Sequence, residues 1–231
     1  MQNSGILFDL DGTLLNTIAD IARAMNRVLR EHELPEHGVD DYRGMVGWGL
    51  EELVRRALPV EITSPAFVRQ CFTEVLQAYE QEPVVDTRPY DGVPELLRRL
   101  HEAEVPLAVL SNKHDALVQT IVANAMRDSY FQIVRGASDG EPKKPNPKAA
   151  LEIARCLDTV PEKLLVVGDS PIDVETARRA GMPVVVGTWG FSTREELEAA
   201  APDALLDHPL QIMSHICSDT SSHRKVTEGT Q

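Results

Sequence analysis

The chain has 231 residues, enough for one large domain or two small ones. A formal net charge of -13 argues against broad nucleic-acid binding, which needs a basic face, and lends no support to an anionic membrane surface as partner. An acidic chain can still hold a small anion where cations line a pocket, so phosphate esters stay open. No apolar run approaches bilayer-spanning length, and the N-terminus lacks a basic stretch followed by an apolar one, so a cytoplasmic protein is expected. Cys71, Cys156 and Cys217 are odd in number and far apart. They read as buried thiols in a reducing compartment rather than as disulfides or a zinc site.

The first apolar run, Gly5-Ile6-Leu7-Phe8, reads as a buried strand. It delivers Asp9 and Asp11 and stops at Gly12. From Leu15 to about Arg88 the pattern is helical, with no convincing strand. Ile18, Ile21, Ala22, Met25, Val28 and Leu29 share one face of a helix, for which Thr17 is the candidate N-cap. Further helices are expected from Leu50 to Leu58 and from Phe67 to Tyr79. Thr87 to Gly92 breaks the pattern, and Pro94 suits the first turn of a helix carrying Leu96, Leu97 and Leu100.

Beyond it strands alternate with helices. The strands are Leu107–Leu110, Ile133–Val134, Leu164–Val167 and Val184–Val186. The helices are Ala116–Ala125, Lys148–Leu157 and Asp173–Ala180. Short apolar strands alternating with helices imply an α/β fold, a parallel sheet covered on both faces. The organisation expected is a core of residues 1–14 and 89–216, a helical insertion at 15–88, and a flexible polar tail at 217–231.

The chemistry sits at strand ends, where open α/β sheets bind ligands. Asp9 and Asp11 repel each other when close, so a cation or a shared proton is needed. Ser111, Asn112 and Lys113 follow a strand and offer donors suited to phosphate oxygens, although Ser111 or Asn112 could instead cap the next helix. Lys144, fixed before Pro145, is the better site candidate of its loop; Lys143 reads as solvated. Asp169 ends its strand as Asp9 ends its own. A third convergent acid favours a hard divalent cation such as Mg²⁺. Ser170, Pro171 and Asp173 resemble an N-cap, a first-turn proline and a capping-box acid, so Asp173 is expected behind the metal rather than on it. His32, His37, His101 and His114 show no metal-ligand spacing and read as surface or turn residues.

In order, Asp-x-Asp-Gly-Thr, Ser-Asn-Lys, Lys-Pro and Gly-Asp-Ser-x-x-Asp resemble the motifs of the haloacid dehalogenase superfamily of phosphotransferases. The resemblance implies a Rossmann-like three-layer core with a small helical cap inserted after the first strand. The acid at Asp11 is similar to the phosphatases and unlike the dehalogenases proper. Val46-Gly47-Trp48-Gly49-Leu50, Pro89-Tyr90-Asp91-Gly92-Val93 and Thr188-Trp189-Gly190 resemble segments of the phosphoglycolate phosphatase branch, whereas many relatives carry an acid in place of Asn16.

The resemblance implies Asp9 as nucleophile through an aspartyl-phosphate, Asp11 as acid and base, and Ser111 and Lys144 as stabilisers of the transferring group. Thr13 and Asn112 join them as phosphate binders. Mg²⁺ would be held by Asp9, Asp169 and the backbone carbonyl of Asp11. Lys144 would also keep Asp9 ionised and oriented. In the cap, Gly47 and Gly49 give a substrate loop freedom. Arg43 either meets a substrate carboxylate or is solvated, and Trp48 is a candidate for packing between cap and core. The expected function is a Mg²⁺-dependent phosphatase of small phosphorylated metabolites, 2-phosphoglycolate first, as a monomer or homodimer. A β-phosphoglucomutase-like phosphomutase, a sugar-phosphate phosphatase and a pyrophosphatase are alternatives. A non-catalytic phosphate binder would have little use for Asp11 beside Asp9.

Overall fold

The structure, a computed structural model, describes residues 3–126 and 130–216. The expected tail, with Cys217, lies outside the described residues. In chain order the elements are β1 (Gly5–Phe8), β2 (Leu15–Asn16), α1 (Ile18–Glu31), α2 (Leu50–Ala57), α3 (Pro65–Gln81), β3 (Arg88–Pro89), α4 (Val93–Glu102), β4 (Leu107–His114), α5 (Asp115–Ala125), β5 (Ile133–Ala137), α6 (Lys148–Cys156), β6 (Leu164–Gly168), α7 (Pro171–Ala180), β7 (Val184–Gly187), α8 (Arg194–Ala200) and β8 (Ala204–Leu206).

Six strands form one parallel sheet in the order β5-β4-β1-β6-β7-β8. Side chains alternate between faces along each strand. Ile6, Phe8, Leu107, Val109, Leu165 and Val167 enter one hydrophobic cluster, and Leu7, Ala108, Leu110, Leu164 and Val166 the other. Every residue of β1 and β6 is buried, which explains why both read as continuous apolar runs. The three-layer α/β fold expected from the sequence is therefore the one observed. The chain leaves β1 for one side of the sheet through β4 and β5, then returns to the other side as β6. Ligands of open α/β sheets bind at such a switch point.

Helices α1 and α3 pack on each other, as do α2 and α3, and their apolar faces continue the cluster on one side of the sheet. The face expected for α1 is buried as read. Asp20 is buried with it. Its carboxylate accepts hydrogen bonds from the backbone N–H groups of Val85, Asp86 and Thr87 at 2.8–3.1 Å, and from the Thr87 hydroxyl at 2.6 Å. Burial alone would push this carboxyl up, but the donors from Thr87, Asp86 and Arg23 outweigh it and hold it below its ordinary value.

Four local readings change. The helical stretch holds one strand pair after all: β2 pairs antiparallel with β3 as Leu15↔Pro89 and Asn16↔Arg88. Two residues carry too little periodicity to be seen in sequence. β4 extends past Leu110 to His114 because its pairing with β5 resumes at His114↔Ala137 after an irregularity. The N-cap of α5 is His114, so neither Ser111 nor Asn112 caps it. After β7, α8 and β8 add a helix and the sixth strand where no element was expected.

Candidate active site

β1 ends where the Asp9 N–H donates to the Val167 carbonyl of β6, 2.9 Å away. Asp9 therefore leaves the sheet beside Asp169. The Asp9 carboxylate accepts from the Lys144 ammonium at 2.7 Å, and the same ammonium reaches Asp173 at 2.8 Å. Oxygens of Asp9, Asp169 and Asp173 lie within 4.8 Å of one another.

Each acid is held by its own partners. Asp169 accepts from the Thr13 hydroxyl at 2.9 Å and from the Phe191 N–H at 2.8 Å. Gly12, with φ +90°, lies so close that a Cβ there would sit 2.1 Å from the Asp169 carboxylate. Asp11 accepts from the Thr17 hydroxyl at 2.6 Å and from the Lys113 ammonium at 2.7 and 2.9 Å. Thr17 is the N-cap residue of α1, but its hydroxyl is spent on Asp11 rather than on the helix. Asp173 accepts from the Ser170 hydroxyl at 2.6 Å. That hydroxyl donates to the acid, so the expected capping box is not formed at α7.

The sequence-predicted residues thus converge, with two changes of partner. The Asn112 amide donates to the Gly47 carbonyl at 2.9 Å and the Lys144 carbonyl at 3.0 Å, and its oxygen accepts from the Lys144 N–H at 2.8 Å. Its donors are committed to backbone rather than turned to a phosphate, and they fix the peptide that carries Lys144. The Thr13 hydroxyl is likewise given to Asp169. Ser111 is buried and lines the cavity. Its oxygen accepts from the Lys113 N–H at 3.2 Å, which leaves its proton free to donate. Lys113, read from the sequence as a donor for phosphate oxygens, is instead paired with Asp11. Its place after Ser111-Asn112 was the available signal, but not its pairing with Asp11.

Four carboxylates (Asp9, Asp11, Asp169 and Asp173) face two ammoniums (Lys113 and Lys144), a deficit of two positive charges. Burial, reinforced by Asp173 and Asp11 and opposed by Lys144, raises the Asp9 carboxyl to about 7. Lys144 opposes that rise and orients Asp9. Burial and the charges of Asp9 and Asp173 also push Asp169 well above the usual carboxylate range. Burial opposes the charge on Lys144, but Asp173 and Asp9 prevail and hold it above the usual lysine value. Hard oxygen donors that repel one another and lack two charges suit a divalent cation.

The helical segment covers this floor. Ile21, Leu53, Val75 and Tyr79 line the cavity, and Arg43 stands at its edge. Arg43 donates to Asp40 at 3.0 Å and to the Gly190 carbonyl at 3.4 Å, and its guanidinium lies 5.7 Å from the centre of the Phe191 ring. Gly47 and Gly49 adopt φ of +103° and +93°, which side chains resist. Trp48 is 43% exposed and does not fill a seam between segment and sheet domain. Lys143 is exposed, as expected. His32 departs from its reading: with Cys71 and Glu74 it forms a second group whose ligand atoms lie within 4.8 Å of one another. Cys71 is buried, whereas Cys156 is exposed rather than buried.

A model of the family described as haloacid dehalogenase-like hydrolase matches residues 6–186. The chain belongs to the haloacid dehalogenase-like hydrolases. This hydrolase is 34% identical over 209 residues to a phosphoglycolate phosphatase of Aquifex aeolicus, covering 90% of this chain and 94% of that one. It is 32% identical over 221 residues to one of Pseudomonas putida, covering 94% and 80%. A crystal structure of a predicted phosphoglycolate phosphatase from Haemophilus somnus superposes with a TM-score of 0.86 at 27% identity, over 93% of the hydrolase and 98% of that chain. CbbY from Rhodobacter sphaeroides, solved in complex with phosphate, gives 0.72 at 26% identity, over 92% and 96%. The hydrolase is thus similar throughout its length to proteins that carry these names.

Proposed function

We propose that this hydrolase is a Mg²⁺-dependent phosphatase of small phosphate monoesters, with 2-phosphoglycolate as the substrate its relatives' names favour. The meeting of Asp9, Asp169 and Asp173 around Lys144, with Asp11 lining the same cavity, carries the reading. Asp9, Asp169 and the backbone carbonyl of Asp11 would hold the cation, with Asp173 behind them. When bound, it supplies the positive charge that lets an anionic carboxylate approach an anionic phosphate.

A carboxylate oxygen of Asp9, oriented by the bond from Lys144, attacks phosphorus and forms the aspartyl-phosphate. As the phosphorus–ester oxygen bond breaks, the Asp11 carboxyl gives its proton to the departing alkoxide. A water then attacks the aspartyl-phosphate and gives its proton back to Asp11, which restores Asp9 and releases phosphate. Ser111 and Lys144 donate to the charge on the transferring group. Residues 15–88 act as a cap over the core of residues 1–14 and 89–216, with Asn112 to Gly47 and Arg43 to Gly190 as its contacts across the mouth. No helix among the described residues is long and apolar enough to cross a membrane, and we place the enzyme in the cytoplasm.

Phosphate release from phosphoglycolate, sugar phosphates, nucleotides and pyrophosphate, with Mg²⁺ or with chelator, tests the reading. We expect release from phosphoglycolate with Mg²⁺ and its loss in chelator and in Asp9→Asn. Release from no substrate would overturn it. Conversion of glucose 1-phosphate to an isomer without free phosphate would favour a mutase.

A further inference from the structure

The cavity has a second polar corner that the proposed chemistry leaves without a task. Lys113 touches both oxygens of Asp11, and its side chain is only 7% exposed. The same ammonium lies 4.8 Å from the centre of the Tyr79 ring, supplied by α3. Tyr79 is buried and lines the cavity beside the Lys113 ammonium, and its hydroxyl donates to none of the described residues. A buried hydroxyl proton without an acceptor is costly and marks a place where something else binds. Burial lifts this phenol to about 12, so it stays a donor at neutral pH. The surrounding wall is apolar: Ile21, Leu53, Val75 and Leu117. An ammonium and a hydroxyl, both donors and set in an apolar wall, select an anion.

We propose that Lys113 and Tyr79 form the receptor for a carboxylate carried by the leaving group one carbon from the ester oxygen. The inference rests on the phosphatase reading above. Asp11 has to come within hydrogen-bond reach of the ester oxygen to move a proton. A carboxylate separated from that oxygen by a single methylene lies next to Asp11, where Lys113 already is. In the free enzyme Lys113 is paired with Asp11; with substrate bound it divides its donors between Asp11 and the substrate carboxylate. Arg43 also lines the cavity, as does Lys144, which is spent on Asp9 and Asp173. Arg43 is tied to Asp40 and to Gly190, beside the Phe191 whose N–H holds Asp169. It does not share the pairing with Asp11.

The test compares kcat/KM for 2-phosphoglycolate and for ethyl phosphate, which lacks the carboxylate. Any effect of Lys113 on Asp11 itself acts on both substrates and cancels in the ratio. For Lys113→Met we expect the ratio to fall roughly 10- to 100-fold, as loss of a charge-assisted contact predicts. Tyr79→Phe keeps the buried ring and should lower the ratio by about fivefold. An unchanged ratio in both variants overturns the proposal, as does a ratio that collapses in Arg43→Met but not in Lys113→Met. A wild type that hydrolyses both esters without preference overturns the carboxylate receptor and leaves the phosphatase standing. Hydrolysis of neither, together with silence on the wider panel, overturns both.

Discussion

Replacing the proposed nucleophile should stabilise the metal-free protein. Asp9 titrates at about 7 in the fold against an ordinary 3.8, because burial and neighbouring acids disfavour its charge. The sign follows from linkage. A raised folded value means that the folded form loses stability as the pH rises from 3.8 towards 7, and that the full penalty stands above 7. At 1.36 kcal/mol per pH unit the gap is worth about 4 kcal/mol at most, reduced by water entry and relaxation. Asp9→Asn keeps the shape and never ionises. In chelator at pH 8 it should be more stable than wild type by about 2–4 kcal/mol, while turnover is lost. At pH 5 wild type is largely protonated at Asp9, so the advantage should shrink to about 1–2 kcal/mol. Urea denaturation of both proteins at the two pH values measures this. A variant that is no more stable at pH 8, or one whose gain is the same at both pH values, would refute the argument.

Three further outcomes follow from named contacts. Asp20→Ala strands the buried Thr87 N–H and hydroxyl and should cost about 2–4 kcal/mol in the same assay. The contribution of Asp20 has the opposite pH sense to that of Asp9. Its folded value is lowered, so its stabilisation is present above 3.8 and disappears as the pH falls through the folded value. Gly12→Ala would bring a methyl group to 2.1 Å from the Asp169 carboxylate at a φ of +90°, and should abolish phosphate release even if the protein remains folded by circular dichroism. Asn112→Ala removes the clamp on the Lys144 peptide and the bond to Gly47, and we expect a fall in kcat of about 10-fold or more from three lost hydrogen bonds.

The core was legible because each strand contains a short apolar run, separated from the next by an amphipathic helix, and because Asp9 and Asp169 stand directly at strand ends. The sheet switch point then brings Asp9 and Asp169 together, since β1 and β6 are neighbours. What stayed hidden was choice of partner. Thr17, Thr13 and Asn112 each have a common local use, as a cap or as a donor to ligand. Each instead bonds a residue brought near by folding, and nothing in linear spacing records this. Lys113 was visible as a cation at a strand end, but its pairing with Asp11 spans 102 positions and depends on β4 running beyond Leu110. The C-terminal additions were missed for a simpler reason: α8 buries only Leu197 and gives no apolar periodicity.

The two-residue ribbon of β2 and β3 has a bearing on how such enzymes diversify. It sets the outgoing and incoming chain side by side, and the Tyr90 N–H adds a bond to the Leu14 carbonyl at 3.2 Å. Whatever lies between those two threads is inserted at a single narrow neck. A shorter or unrelated module could be spliced there without changing the register of any strand in the six-stranded sheet.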